Sequence, residues 1–363
     1  METITKIISI IFLFISSYFP SCADANDIKL PQNFNINTYA EKLKGPRFMA
    51  LSPDNVVYVT EIRSGQVIAL PDMDSDGVTD KYLIKAKYLR IPNGIVFYKD
   101  WLYVGETNQI VRYKYFGYKN DLGKKEIVIP NLPRSGHSTK SILFGENNKL
   151  YLSIGASCNA CEENDKRRAT IMQFNPDGSG GRIYAEGLRN SVGLTVNPGT
   201  GQIWASDNGR DWLGDNLPPE EINIIKEDKH YGWPFCYADK IPDPKMGDTL
   251  FCKNTQPPVF EMQAHSVPLG LTFYTGTQFP KEYKGDLFVA FHGSWNRSVP
   301  TGYKVVRINI KGNKPVSIED FASGWLKGTT RTARPVGVLV NKDGSLLVSD
   351  DRGGKIFRIS YSK

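Results

Sequence analysis

The chain has 363 residues and a net charge of +7, with its basic residues scattered and not gathered into blocks. That balance argues against a nucleic-acid partner, and the length suits one large all-β domain. Glycine, proline and aromatic residues punctuate many short strand-like runs, and sustained helical periodicity is absent, which excludes a helical bundle or coiled coil.

Residues 1–25 read as a cleaved secretion signal. Lys6 supplies the positive region, Ile7 to Phe19 the apolar run, and Ala23-Asp-Ala25 the small-x-small cleavage pattern. The apolar run is too short for a comfortable membrane span, so no stable membrane insertion is expected. Lipid attachment at Cys22 is the poorer reading, because Phe-Pro-Ser precedes it. The mature chain, 26–363, is therefore expected to be exported, to the periplasm or beyond, and to form one domain.

Asn33 to Leu43 holds a strand-like run ahead of the first hairpin. Six hairpin units follow: Phe48–Glu61, Gly94–Glu106, Ser141–Gly155, Val192–Ala205, Gly270–His292 and Gly337–Asp350. Each is two apolar runs around a turn, the signature of an antiparallel hairpin. Third runs follow several of them, as in Gln66–Leu70, Gln109–Tyr113 and Lys355–Ile359. Six copies of one β unit predict a six-bladed β-propeller of four-stranded antiparallel blades. The Asn33–Leu43 run is expected to close the ring against the last unit.

After the first unit comes Pro71-Asp-Met-Asp-Ser-Asp-Gly-Val-Thr-Asp80. Asp72, Asp74, Asp76 and Asp80, with glycine at the sixth position, form a calcium-loop pattern. The glutamate usual at position twelve is Leu83 here. The loop follows a third strand, so the topology puts it on the face opposite the polar loops described next. Removing the signal leaves Cys158, Cys161, Cys236 and Cys252, and sequence proximity in an exported chain pairs them 158–161 and 236–252.

Residues before a first strand and after a second share one edge of the sheet. One face of the propeller thus gathers His137, Arg189, Asn190, His265, Arg331 and Arg334 with Asn208, Gly209, Arg210, Asp211 and Arg297. Such convergence at a channel mouth marks a ligand site, and arginines suit carboxylates. His137 is the best candidate for proton transfer. His230, in His-Tyr-Gly-Trp-Pro, reads as a packing residue.

These residues resemble a known family. Its carriers are Gly-His-Ser-Thr-Lys at 136–140, Gly-Leu-Arg-Asn at 187–190, Ser-Asp-Asn-Gly-Arg-Asp at 206–211, Glu-Ile-Asn at 221–223, Tyr-Gly-Trp-Pro at 231–234, Phe-His-Gly-Ser-Trp-Asn-Arg at 291–297 and Ala-Arg-Pro-Val-Gly at 333–337. With these, the chain resembles the soluble pyrroloquinoline quinone (PQQ)-dependent sugar dehydrogenases, in the branch of L-sorbosone and aldose sugar dehydrogenases. The resemblance implies PQQ lying over the channel with Ca²⁺, and an oxidoreductase that passes hydride from a sugar to the quinone. It implies His137 as the general base and Arg189 as the group steadying the oxygen at quinone carbon 5. Asn190, Asn208, Arg210, Arg297, Arg331 and Arg334 are implied as cofactor contacts. The Gly209 and Arg210 carbonyls are implied as calcium ligands, with Asp207, Asp211 and Asp215 as possible additions. The chain departs from the family at three places: Gly136 replaces an aspartate, Pro92 a glutamine, and Arg210 a proline. The partners implied are a small-molecule sugar and an electron acceptor of unspecified kind. Two other readings fit the same residues: a calcium-dependent lactone hydrolase and a non-catalytic ligand-binding propeller.

Overall fold

The computed structural model describes residues 28–362; the signal reading at 1–25 lies outside them. Six blades with a four-stranded antiparallel core follow one another around an axis, the third widened by a fifth, parallel strand. Blade 1 is Pro46–Leu51, Val57–Glu61, Gln66–Leu70 and Leu83–Ala86; blade 2 is Ile95–Tyr98, Trp101–Glu106, Gln109–Lys114 and Glu126–Ile129. Blade 3 is Lys140–Phe144, Leu150–Ile154, Thr170–Phe174 and Arg182–Glu186; blade 4 is Gly193–Val196, Ile203–Asp207, Glu220–Ile225 and Phe260–Met262. Blade 5 is Pro268–Phe273, Leu287–Phe291, Lys304–Lys311 and Lys314–Ala322. Blade 6 takes Pro335–Val340, Leu346–Asp350 and Lys355–Tyr361 from the end of the chain and Phe34–Ala40 from its beginning.

Burial follows position in the blade. The second strands of blades 1, 3, 4, 5 and 6 are buried at every residue, because each is covered on both faces by neighbouring blades. The outermost strand of blade 5 is exposed over most of its length. The first strands of all six blades line an axial cavity of about 290 Å³. Stitches join neighbouring blades near the mouth of that channel. Thr60 Oγ1 donates to Asn93 O (2.8 Å), Gly94 N to Lys140 O (2.9 Å) and Ser141 Oγ to Val192 O (2.5 Å). Ser206 Oγ donates to Leu269 O (2.8 Å) and Ser349 Oγ to Arg47 O (2.6 Å), the last across the ring closure. Glycine recurs where a first strand meets the next blade: a Cβ on Gly193 would lie 2.0 Å from Leu269 O.

The ring closes as the sequence predicts. Phe34–Ala40 runs antiparallel to Lys355–Tyr361. Phe34 is buried with its ring 4.8 to 5.1 Å from those of Phe279, Tyr283, Phe321 and Tyr361. Aromatic contacts of this kind add to burial. Phe34→Ala is expected to destabilise the fold by about 3–5 kcal/mol, read as an earlier urea midpoint. An unchanged midpoint would show that the terminal strand does not close the ring.

Two features go beyond the sequence reading. Between the third and fourth strands of blade 4 the chain leaves the sheet. There Lys229–His230 pairs in parallel with Ala185–Glu186 of blade 3, and a short helix, Thr249–Lys253, follows. The Cys236–Cys252 disulfide fastens this excursion. Among the described residues, no helix is long and apolar enough to cross a membrane.

Candidate active site

His137 sits in the loop entering blade 3. Its Nδ1 lies 2.8 Å from Ala156 O, and its backbone N donates to the same carbonyl at 3.0 Å. A carbonyl only accepts, so Nδ1 carries the proton and Nε2 keeps a free lone pair. Burial, then the Arg189 charge, pushes His137 down to about 4, against the hydrogen bond to Ala156. The ring is thus neutral at neutral pH, the state a base requires. Gly155 makes room for it: a Cβ there would lie 2.6 Å from His137 Cβ and 2.8 Å from Asn190 Oδ1. The same Ala156 donates to Arg189 O at 2.8 Å, so one residue joins the histidine to the Arg189–Asn190 pair.

Arg189 and Asn190 are held from the end of the second strand of blade 4. Asp207 accepts from the backbone N of Arg189 (3.1 Å) and of Asn190 (2.9 Å), and from Ser191 Oγ (2.8 Å). Burial pushes Asp207 up to about 6, but three donors on one carboxylate favour its ionised form, which is the state the geometry fits. Asn208 Nδ2 donates to Asn190 O and to Pro268 O, while Asn208 Oδ1 is buried without a partner. Gly209 N donates to Glu220 Oε2 at 2.8 Å, and Val267 N to Glu220 Oε1 at 3.1 Å, which fixes the 208–211 loop against blade 5. Among the described residues, no hydrogen bond reaches the carbonyl oxygens of Gly209 and Arg210.

The Arg210 side chain, expected as a cofactor contact, is engaged inside the fold. Its Nη1 lies 2.6 Å from Asp243 Oδ2, and both groups are buried. Asp243 belongs to the excursion of blade 4, so a carboxylate far away in sequence takes the charge. Arg210 Nε donates to Asp211 O at 3.4 Å.

On the other side of the mouth lie the blade 5 and blade 6 loops. His292 Nε2 is 3.0 Å from Asp351 Oδ1, and Asp351 Oδ2 takes Arg47 Nη1 at 2.8 Å. Against burial, which would raise it, the hydrogen bond from His292 and the Arg47 charge hold Asp351 well below the usual carboxylate range, while burial holds His292 neutral, down to about 4. Arg47 Nε also binds Asn93 Oδ1, so this chain spans blades 5, 6, 1 and 2. Arg334 donates to the carbonyls of His292 and Gly293, and both Arg334 and Arg331 lie over the Tyr303 ring. Arg331 Nε is buried with no partner. Arg297 lies farther out, donating to Ala264 O and Val299 O. His265 Nε2 donates to Gly214 O, and His230 packs edge-on against Phe251.

The structure thus brings His137, Arg189, Asn190, Asn208 and the 209–210 carbonyls together on one side of the mouth and Arg331 and Arg334 on the other. Asp72, Asp74 and Asp80 form a separate group on the far face, with oxygens within 4.8 Å of one another; Asp76 is not part of it. Lys342 and Asn37 reach this loop from blade 6.

Sequence reasoning missed two parts of the mouth. Asn159, in the Cys158–Cys161 loop, contacts Arg189 directly. Trp212 and Trp295, 67% and 58% exposed, form an edge-to-face pair 5.2 Å apart beside it. Asp211 ties both loops together, accepting Asn296 Nδ2 at 2.8 Å. The signal available for the pair was two tryptophans in polar loops on one face.

A family model, TrAA12-like, matches residues 28–362. The chain belongs to the TrAA12-like family. Over 99% of this chain and 97% of the relative, it is 34% identical to an uncharacterized protein of Borreliella burgdorferi. It is 27% identical to a pyrroloquinoline quinone-dependent sugar dehydrogenase of Hypocrea jecorina, covering 72% of this chain and 71% of the relative. Its fold matches the holo form of the pyranose dehydrogenase PQQ domain from Coprinopsis cinerea with a TM-score of 0.80 at 21% identity, over 92% of this chain and 97% of that one.

Proposed function

We propose that this member of the family is a PQQ-dependent dehydrogenase that oxidises an aldose or a related, sorbosone-like sugar. The observation that carries it is the neutral His137, with Nδ1 tied to Ala156 and Nε2 free, beside a guanidinium at the channel mouth. The sugar dehydrogenases among its relatives support a sugar as the substrate.

The residues fit the cofactors. The free 209–210 carbonyls and the orphaned Asn208 Oδ1 are hard oxygen donors, the kind calcium takes. Arg331 and Arg334 offer guanidinium groups to a quinone's carboxylates, with Asn190 and Asn208 beside them and Arg297 at the rim. When bound, the quinone and its calcium supply the electron sink. The chain's own work is proton transfer and electrostatics. Nε2 of His137 takes the proton of the sugar hydroxyl, and Ala156 O stabilises the imidazolium that results. Arg189 stabilises an oxygen that gains negative charge in the transition state. The paired loops of blades 3, 4 and 5 hold these groups in place.

A lactone hydrolase would need several acidic ligands at the axis. Among the described residues, the acidic cluster whose three carboxylates lie within 4.8 Å of one another is Asp72–Asp74–Asp80, away from the axis. The test is reconstitution: purified protein with quinone and calcium should show saturable quinone absorbance changes and dye reduction by aldoses. Absence of both would leave the propeller without this activity.

The Asp72–Asp80 loop belongs to the proposal as a structural calcium site. Asp72 accepts Gly77 N at 3.2 Å, and its Oδ1 is buried without a partner. Asp74→Ala is expected to lower the melting temperature measured in calcium and to leave quinone affinity unchanged. Loss of quinone affinity would place the loop in the active site. The leader reading adds export to the periplasm or beyond, checked by N-terminal sequencing of the mature protein.

A further inference from the structure

The Cys158–Cys161 disulfide closes a four-residue loop whose inner residue, Asn159, faces Arg189. Asn159 O accepts Arg189 Nε (3.0 Å) and Trp233 Nε1 (3.1 Å). Asn159 Oδ1 accepts Arg189 Nη2 (3.0 Å) and the backbone N of Asp211 (2.7 Å), and Asn159 Nδ2 donates to Asp211 O (3.0 Å). One carboxamide and one carbonyl therefore hold both the arginine and its counter-ion. The base of the loop is braced as well. Glu163 accepts from the backbone N and the Oγ of Ser157, and Arg168 lies 4.0 Å from Glu163.

The count of donors gives the loop a purpose. A guanidinium has five N–H groups in a rigid plane. In Arg189, Nε goes to Asn159 O, Nη2 to Asn159 Oδ1 and Asp211 Oδ2 (3.3 Å), and Nη1 to Asn208 O (3.2 Å). Four are taken, and among the described residues the second Nη1 hydrogen has no acceptor. Because the fork is planar, fixing four donors fixes the direction of the fifth. Two residues before Cys158, Ala156 holds the His137 imidazole. Residues 156–161 thus join the base to the charge that faces it.

We propose that the Cys158–Cys161 loop is a clamp on Arg189, in which Asn159 is a positioning residue that aims the one unspent guanidinium N–H at the reacting oxygen. The inference rests on the role given to Arg189 above. The disulfide matters because the loop lies half-exposed at the surface, and a cross-link removes freedom that an open loop would keep.

The test uses mature full-length protein in three forms: Asn159→Ala, the double variant Cys158→Ser with Cys161→Ser, and Cys236→Ser with Cys252→Ser as a control for loss of any disulfide. Two quantities are read. The first is the titration midpoint of His137 by NMR in the cofactor-free protein. The Arg189 and Arg168 charges bear on that ring, with Asn190 uncharged beside it, so release of Arg189 should move the midpoint upward. The second is turnover with reconstituted cofactor. A group misplaced by about an ångström costs on the order of 10²-fold, and the loss should fall on kcat more than on KM. Asn159→Ala and the 158/161 double variant should show both effects, and the 236/252 control neither. If Asn159→Ala does not fold, the double serine variant decides alone. A His137 midpoint unchanged in both overturns the clamp. A wild type that oxidises no aldose overturns the dehydrogenase reading instead, and the midpoint still decides the clamp.

Discussion

Replacing His137 with alanine should leave quinone binding intact and slow sugar oxidation by about 10²–10⁴-fold, the usual contribution of a positioned base. The reason lies in the tautomer. Ala156 O fixes the proton on Nδ1, so the ring presents Nε2 as a lone pair to whatever enters the mouth. His137 is loop-borne, and its removal strips no core strand, so folding should survive. Acidity gives a second reading of the same group. A base held down to about 4 is unprotonated through neutrality and loses that form as pH falls through about 4. The rate in the cofactor-loaded wild type should therefore hold at neutral pH and drop in acid, and the alanine variant should lack that limb. Equal rates for variant and wild type would assign the proton transfer to another group.

Arg189→Ala should slow the reductive step by about 10²–10³-fold, the scale for loss of one donor to a developing oxyanion. Its interaction strengthens in the transition state, so the loss should appear in kcat and not only in KM. This variant carries a structural cost that His137→Ala does not. Asp211 and Asn159 would lose their shared partner at a site where the arginine side chain is almost wholly buried. Breaking a buried pair from one side costs about 3–5 kcal/mol, so the melting temperature must be read beside the rate. Arg189→Lys separates the two effects. A lysine retains charge but cannot make four planar contacts, so it should keep part of the stability and little of the rate.

The propeller and the face on which the polar loops gather were legible in the sequence for one reason. Hairpin topology is local: turn residues such as Asn341 to Gly344 announce it, and Gly344, at φ +84, makes that turn. Once the hairpins are placed, geometry puts His137, Arg189 and Asn208 on one face without further information. Contacts made across the chain were not legible. Nothing near Arg210 announces Asp243, and nothing near Arg189 announces Asn159, since both partners arrive by folding. The burial of whole second strands, as in Ile203–Asp207, likewise comes from neighbouring blades and overrides the alternation expected of a half-exposed strand.

The proposed activity is oxidation of a sugar by the groups at the mouth with a quinone held above the channel. It is tested most directly by stopped-flow reduction of the reconstituted wild type by a panel of aldoses, followed at the quinone absorbance. Single-turnover reduction by at least one aldose is expected, dependent on calcium and slowed about 10²–10⁴-fold in His137→Ala. A wild type that binds the quinone and is reduced by none of them would contradict it.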